Sequence, residues 1–129
     1  MVFKKRRFLI ILTILAAFLV TGCSQTTKKQ APANQIQVTY QLQKSGSQIA
    51  KKEVHVKKNA TVLTGLKKAW PVKLQKGMVT QIDGHKQNDK QNVYWTYKIN
   101  GKTAKKGVQQ QKVANKDKVT FNLSKYNGE

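Results

Sequence analysis

Apolar and polar residues alternate from Ile36 to Gln43. Ile36, Val38, Tyr40 and Leu42 fall on one side, and Gln37, Thr39, Gln41 and Gln43 on the other. A period of two predicts a strand with one face buried. Lys44-Ser45-Gly46-Ser47 reads as a turn, and Ile49 to Val56 as a second strand with Val54 and Val56 on one face, which completes a hairpin. The period then changes. Val62, Leu63, Leu66, Ala69 and Trp70 recur at the spacing of one helix face. Asn59 or Thr61 can cap the start of this helix, and Pro71 stops it. Gly65 inside it costs about 1 kcal/mol relative to Ala, so a close approach of the helix backbone to the sheet is expected there.

Met78 to Ile82 reads as a third strand, closed by Asp83-Gly84, and Gly84 to Asn92 as a polar loop. Val93 to Ile99 is a fourth strand, and the Asn100-Gly101 after it is a strong tight-turn signal. Lys102 to Asn115 is polar, with only Val108 and Val113 to bury, and Lys118 to Leu123 is the last strand. A hairpin, one helix and three or more further strands make an α+β domain. One helix packed on a mixed sheet of about five strands is the β-grasp, ubiquitin-like arrangement.

The first residues bear on location. A basic cluster, Lys4-Lys5-Arg6-Arg7, precedes the thirteen uncharged residues Phe8 to Val20. Such a run is short for a membrane span, which takes about 20 apolar residues, and reads as a secretory signal. Leu19-Val20-Thr21-Gly22-Cys23 resembles the lipobox of bacterial lipoproteins. The resemblance implies cleavage between Gly22 and Cys23 and a lipid on the Cys23 sulfur. Two or more acyl chains hold a protein stably at a bilayer. The expected organisation is a signal peptide over 1–22, a lipid-anchored spacer over 23–34, polar and containing Pro32, and a folded domain over 35–126. The expected location is the outer face of the cell membrane.

Cys23 is the only cysteine, so no disulfide can form within the chain. Beyond the signal there are 21 basic residues, all Lys, and five acids, a balance of +16 over 107 residues. Such a field favours anionic partners. The lack of Arg there removes the bidentate fork used for phosphate and guanine, and with export it argues against nucleic acid. Anionic lipid headgroups and wall polymers suit a diffuse lysine surface better.

No catalytic or metal constellation emerges. His55 and His85 are the only histidines, and metal sites need several ligands at defined spacing. Asp83, His85 and Asp89 could be drawn as a cluster, but Asp-Gly is ordinary turn chemistry. No serine lies in a nucleophile motif, and the acids form no convincing pair. The reading is a protein that is not an enzyme. In the aromatic strand, Val93, Trp95, Tyr97 and Ile99 share one face and Tyr94, Thr96 and Lys98 the other. Trp95 and Tyr97 are therefore expected in the core. Tyr94, Lys98 and the Asn100-Gly101 turn are the candidate ligand contacts.

"ATVLTGLKKAW", "VTQIDG", "VYWTYKINGK" and "KDKVTFNL" follow one another in an order that resembles the transcobalamin-like C-terminal domain family. The resemblance covers Gln35 to Tyr126 and implies a small β-grasp-like module. In animal vitamin B12 carriers the equivalent domain closes over one face of the corrinoid. In Gram-positive bacteria it often stands alone in surface lipoproteins. The expected function is a non-catalytic, lipid-anchored binding module. By resemblance its ligand is cobalamin or a similar small cofactor, with no intrinsic cofactor and with a transporter or other surface protein as partner. The other expectation is an interaction module for protein or anionic cell-wall polymer.

Overall fold

The computed structural model describes residues 33–128. The signal peptide, the Gly22–Cys23 junction and all of the spacer except Ala33 and Asn34 lie outside the described residues. The chain divides into two units, Met1–Gln30 and Ala31–Glu129, and every described residue belongs to the second.

The alternating segment forms β1 (Gln35–Lys44), paired antiparallel with β2 (Ser47–Lys57). The helical pattern forms α1 (Val62–Ala69), which begins where Thr61 caps it, its Oγ1 accepting from Thr64 N at 3.3 Å. Pro71 follows the helix, and β3 (Val72–Gln75), β4 (Met78–Ile82) and β5 (His85–Lys86) come next. A 3-10 turn at Asp89–Gln91 leads to β6 (Val93–Ile99), then β7 (Lys102–Thr103) and finally β8 (Lys118–Lys125).

Two sheets result. The larger has the order β2-β1-β8-β6-β7, and its central pair, β1 and β8, runs parallel while the other pairs are antiparallel. The smaller is β3-β4-β5. The expected single helix and a five-stranded mixed sheet are present, and a three-stranded sheet is added that takes Met78–Ile82, expected in the larger one, while the short β7 supplies the larger sheet's fifth strand. Part of that addition lies in Gly84 to Asn92, expected to be a loop. There His85 pairs with Ile82 and Lys86 with Gln81.

Four two-residue turns join the hairpins among the described residues: Ser45-Gly46, Lys76-Gly77, Asp83-Gly84 and Asn100-Gly101. In each, both residues have φ between 48° and 83°. Paired positive φ is the primed turn whose twist matches the flanking strands, and Gly takes its second position without strain.

The core lies between the larger sheet and the elements on one of its faces. Val38, Tyr40, Leu42, Val56, Val62, Leu66, Ile82, Val119 and Phe121 are almost fully buried. Val108 and Val113 join this cluster, as the otherwise polar Lys102–Asn115 segment requires. That segment also serves the helix. Val62 N donates to Gln111 O at 2.8 Å and Leu63 N to Val108 O at 3.0 Å. These bonds occupy N–H groups that the first turn of a helix cannot satisfy itself.

Candidate functional site

A cavity of about 150 Å³ opens at the edge of the core. Its walls come from Gly77, Met78 and Val79 at the start of β4, Trp95 and Tyr97 on β6, and Gly107 and Val108 in the segment before β8. Phe121 of β8 also lines it, as do Gln87 and Tyr94. The arrangement follows from where α1 stops. The helix packs on β1 and β2, so the core-facing side of β6 is left to the smaller sheet and the Gly107–Val108 segment. Those covers are small, and Trp95 and Tyr97 stay half-buried.

Trp95 and Tyr97 were expected to be core residues. They do pack against the core cluster, but each keeps part of its ring on the cavity. The aromatic pair is thus both support and lining. The Trp95 indole N–H donates to His85 O at 3.0 Å, which ties β6 to the smaller sheet. The Tyr97 hydroxyl donates to Lys106 O, and its ring stacks on Phe121 with centroids 5.2 Å apart and planes 19° apart. Burial holds the Tyr97 phenol above its ordinary pKa, so it remains a neutral donor. Met78, exposed by 70 %, stands at the rim. An apolar, polarizable surface with flat rings and few polar groups suits the face or edge of a flat organic ligand.

The other candidates fall elsewhere. Tyr94 borders the cavity, but its register partner is Ser124, which puts it in the set facing away from the core. Lys98 is on that same outer face, paired with Thr120. Asn100 and Gly101 form the β6–β7 turn, away from the cavity. The Asn100 side chain is engaged at both ends: its Nδ2 donates to Asp117 Oδ1, and its Oδ1 accepts from Lys118 N, each at 2.9 Å. The structure therefore does not gather these four residues into one site. The pairing of Trp95 with Met78, Gly107 and Val108 was not visible in the sequence, because it joins segments far apart in the chain.

Asp83 lies in a turn, His85 in β5 and Asp89 in the 3-10 turn, where it accepts from Gln87 Nε2 at 3.2 Å. Among the described residues, no three His, Cys, Asp or Glu side chains come together as a metal site. Also among them, no helix is long and apolar enough to cross a membrane.

A family profile described as "Domain of unknown function (DUF4430)" matches residues 59–125, which is 67 of the 129 residues. No curated protein matches the chain. Among solved structures, the fold is similar to part of haptocorrin in complex with Cbi. The TM-score is 0.62 at 20 % identity, over 71 % of this chain and 25 % of that one. The chain thus spans about a quarter of haptocorrin's length. It is also similar to a proposed metal-binding protein from Ruminococcus gnavus ATCC 29149. There the TM-score is 0.55 at 12 % identity, over 70 % of this chain and 98 % of that one.

Proposed function

The chain belongs to the DUF4430 family, a domain of unknown function, and from that premise we propose that it is a non-catalytic binding module whose aromatic cavity grips one edge of a flat cofactor-like molecule, a corrinoid first. The observation that carries this reading is the cavity itself. It is apolar, rimmed by Trp95, Tyr97 and Met78, and open to solvent. The likeness to a domain-sized part of haptocorrin, solved with Cbi, supports the choice of ligand. So does the resemblance of "VYWTYKINGK" to the transcobalamin-like family. The β2-β1-β8-β6 order with its parallel central pair supports a β-grasp assignment.

Size decides how the module works. Sites that enclose a drug-sized ligand run to about 300–1,000 Å³, well above the 150 Å³ available here. A corrinoid would rest on this surface with much of its own area still exposed. A second protein at the membrane, such as a transporter, would cover the rest. In this reading Cys23 carries the lipid and the spacer holds the module at the outer face of the membrane.

Titrating the full chain with cobinamide tests the proposal. Binding at the cavity quenches the fluorescence of Trp95 and perturbs the corrinoid absorption bands. Unchanged fluorescence and absorption at millimolar ligand would reject a corrinoid as the ligand.

A further inference from the structure

Most polar side chains that line the aromatic cavity are already committed. The Trp95 indole donates to His85 O and the Tyr97 hydroxyl to Lys106 O. Tyr94 belongs to the outer face of its strand. Gln87 remains, and it is the one amide side chain in the lining. It directly follows β5. His85 and Gln87 are half-buried there while Lys86 and Asn88 are exposed, so the Gln87 side chain turns to the cavity side of the segment. Its backbone is held as well, because Gln87 N donates to Thr80 O at 2.9 Å.

The Gln87 amide has a defined polarity. Its Nε2 donates to Asp89 Oδ1 at 3.2 Å. An ionised carboxylate only accepts, so the NH2 end must face Asp89 and the oxygen end is turned off it. Among the described residues Oε1 takes no bond. It is not sealed from solvent either, the one buried and unpaired side-chain oxygen there being that of Gln41. The cavity wall therefore carries a free acceptor. Hydrogen bonds polarise one another along a chain, so the bond to Asp89 makes Oε1 a stronger acceptor.

We infer that the cavity selects a ligand whose edge carries N–H donors, as a carboxamide does, over one that presents an ester or a carboxylate there. This selection rests on the corrinoid reading above and says which chemistry at the ring's edge the site recognises. A ligand N–H on Oε1 completes a chain of hydrogen bonds that ends on Asp89. An ester brings an oxygen against an oxygen and leaves both unpaired, which costs more than a contact that is simply missing. A carboxylate meets the same oxygen and is also repelled by Asp89. The lysine excess of the chain therefore does not make this point of the cavity an anion site. Gln87 touches the ligand. Asp89 is a positioning residue, which acts by holding the Gln87 amide one way round.

Two probes titrated into the full chain test this. Dicyanocobinamide carries carboxamides around its ring, and dicyano heptamethyl cobyrinate carries methyl esters in their place. Gln87→Ala weakens cobinamide about three- to tenfold, as loss of one hydrogen bond should, and changes the ester less than about twofold. Asp89→Asn presents an amide that can donate or accept, which frees Gln87 to turn either way round. The ratio of the two affinities then shifts toward the ester. A residue needed only for folding would move both probes together. Equal losses for the two probes in Gln87→Ala, or an unchanged ratio in Asp89→Asn, would overturn the selection and leave the cavity as the corrinoid site. Binding of neither probe to the unaltered chain would reject the corrinoid reading and the selection with it.

Discussion

Tyr40 of β1 lies directly beneath Gly65 of α1. Its hydroxyl donates to Val62 O at 2.8 Å, and a Cβ on Gly65 would fall 2.1 Å from that hydroxyl oxygen. The helix can descend this far onto the sheet only because residue 65 has no side chain, and Tyr40 then fills the space completely. Gly65→Ala should therefore destabilise the domain. The gain of about 1 kcal/mol in helix propensity is outweighed by overpacking against a fixed ring, leaving a net loss of about 1–3 kcal/mol by denaturant melting. In a Tyr40→Leu background the same change should cost far less, a coupling that a double-mutant cycle measures.

The same tyrosine gives the domain an alkaline limit. Burial, and after it the negative charge of Asp117, raise the Tyr40 pKa well above its ordinary value of 10.0. The folded state therefore holds the phenol proton more tightly than the unfolded state does. That contribution is complete below about pH 10 and is lost as pH climbs above it. Chemical melts from pH 8 to 11.5 should show stability falling at the top of this range. Tyr40→Phe should flatten the fall, after an initial cost of about 1 kcal/mol for the missing hydrogen bond.

Asn100 is a structural clasp. Its side chain holds Asp117 and the backbone of Lys118, while the other Asp117 oxygen accepts from Ala114 N at 2.8 Å. Asn100 also adopts φ 51°, a region Asn tolerates better than most residues. Asn100→Ala should cost about 1–2 kcal/mol and leave affinity for a corrinoid unchanged. A loss of affinity without a loss of stability would return the turn to the set of ligand contacts.

Trp95 should behave differently from a buried core tryptophan. It is half-buried, so Trp95→Ala should cost less than the about 3–5 kcal/mol of a fully enclosed ring. The variant should remain folded by circular dichroism and lose binding at the cavity. Trp95→Phe keeps an aromatic wall and gives up the bond to His85 O, and should retain measurable binding.

Most of the larger sheet was legible because its strands carry strong alternation. Ile36 to Leu42 and Val119 to Leu123 point their apolar residues one way, and Val54 and Val56 answer from β2. The helix was legible from its apolar stripe, and Gly65 from its cost. Of the smaller sheet, only β4 (Met78–Ile82) was legible as a strand, and its flanking partners were not. β3 holds only Val72 and Leu74 as apolar residues, and β5 is two residues long, so tertiary pairing makes these strands. The Lys76-Gly77 turn has the same geometry as Asn100-Gly101, but Lys is an unusual residue at positive φ and gives no turn signal. The cavity was hidden for a related reason. Alternation told which face of β6 turns inward, but it could not tell that α1 stops short of β6 and leaves Trp95 and Tyr97 partly uncovered.

Chemical-shift mapping of the full chain with cobinamide addresses the central claim most directly. The account predicts that amide shifts move at Gly77, Met78, Trp95, Tyr97, Gly107 and Val108, the positions that line the cavity. Shifts confined to Thr96, Lys98, Thr120 and Asn122 on the outer face, or no shifts at saturating ligand, would contradict it.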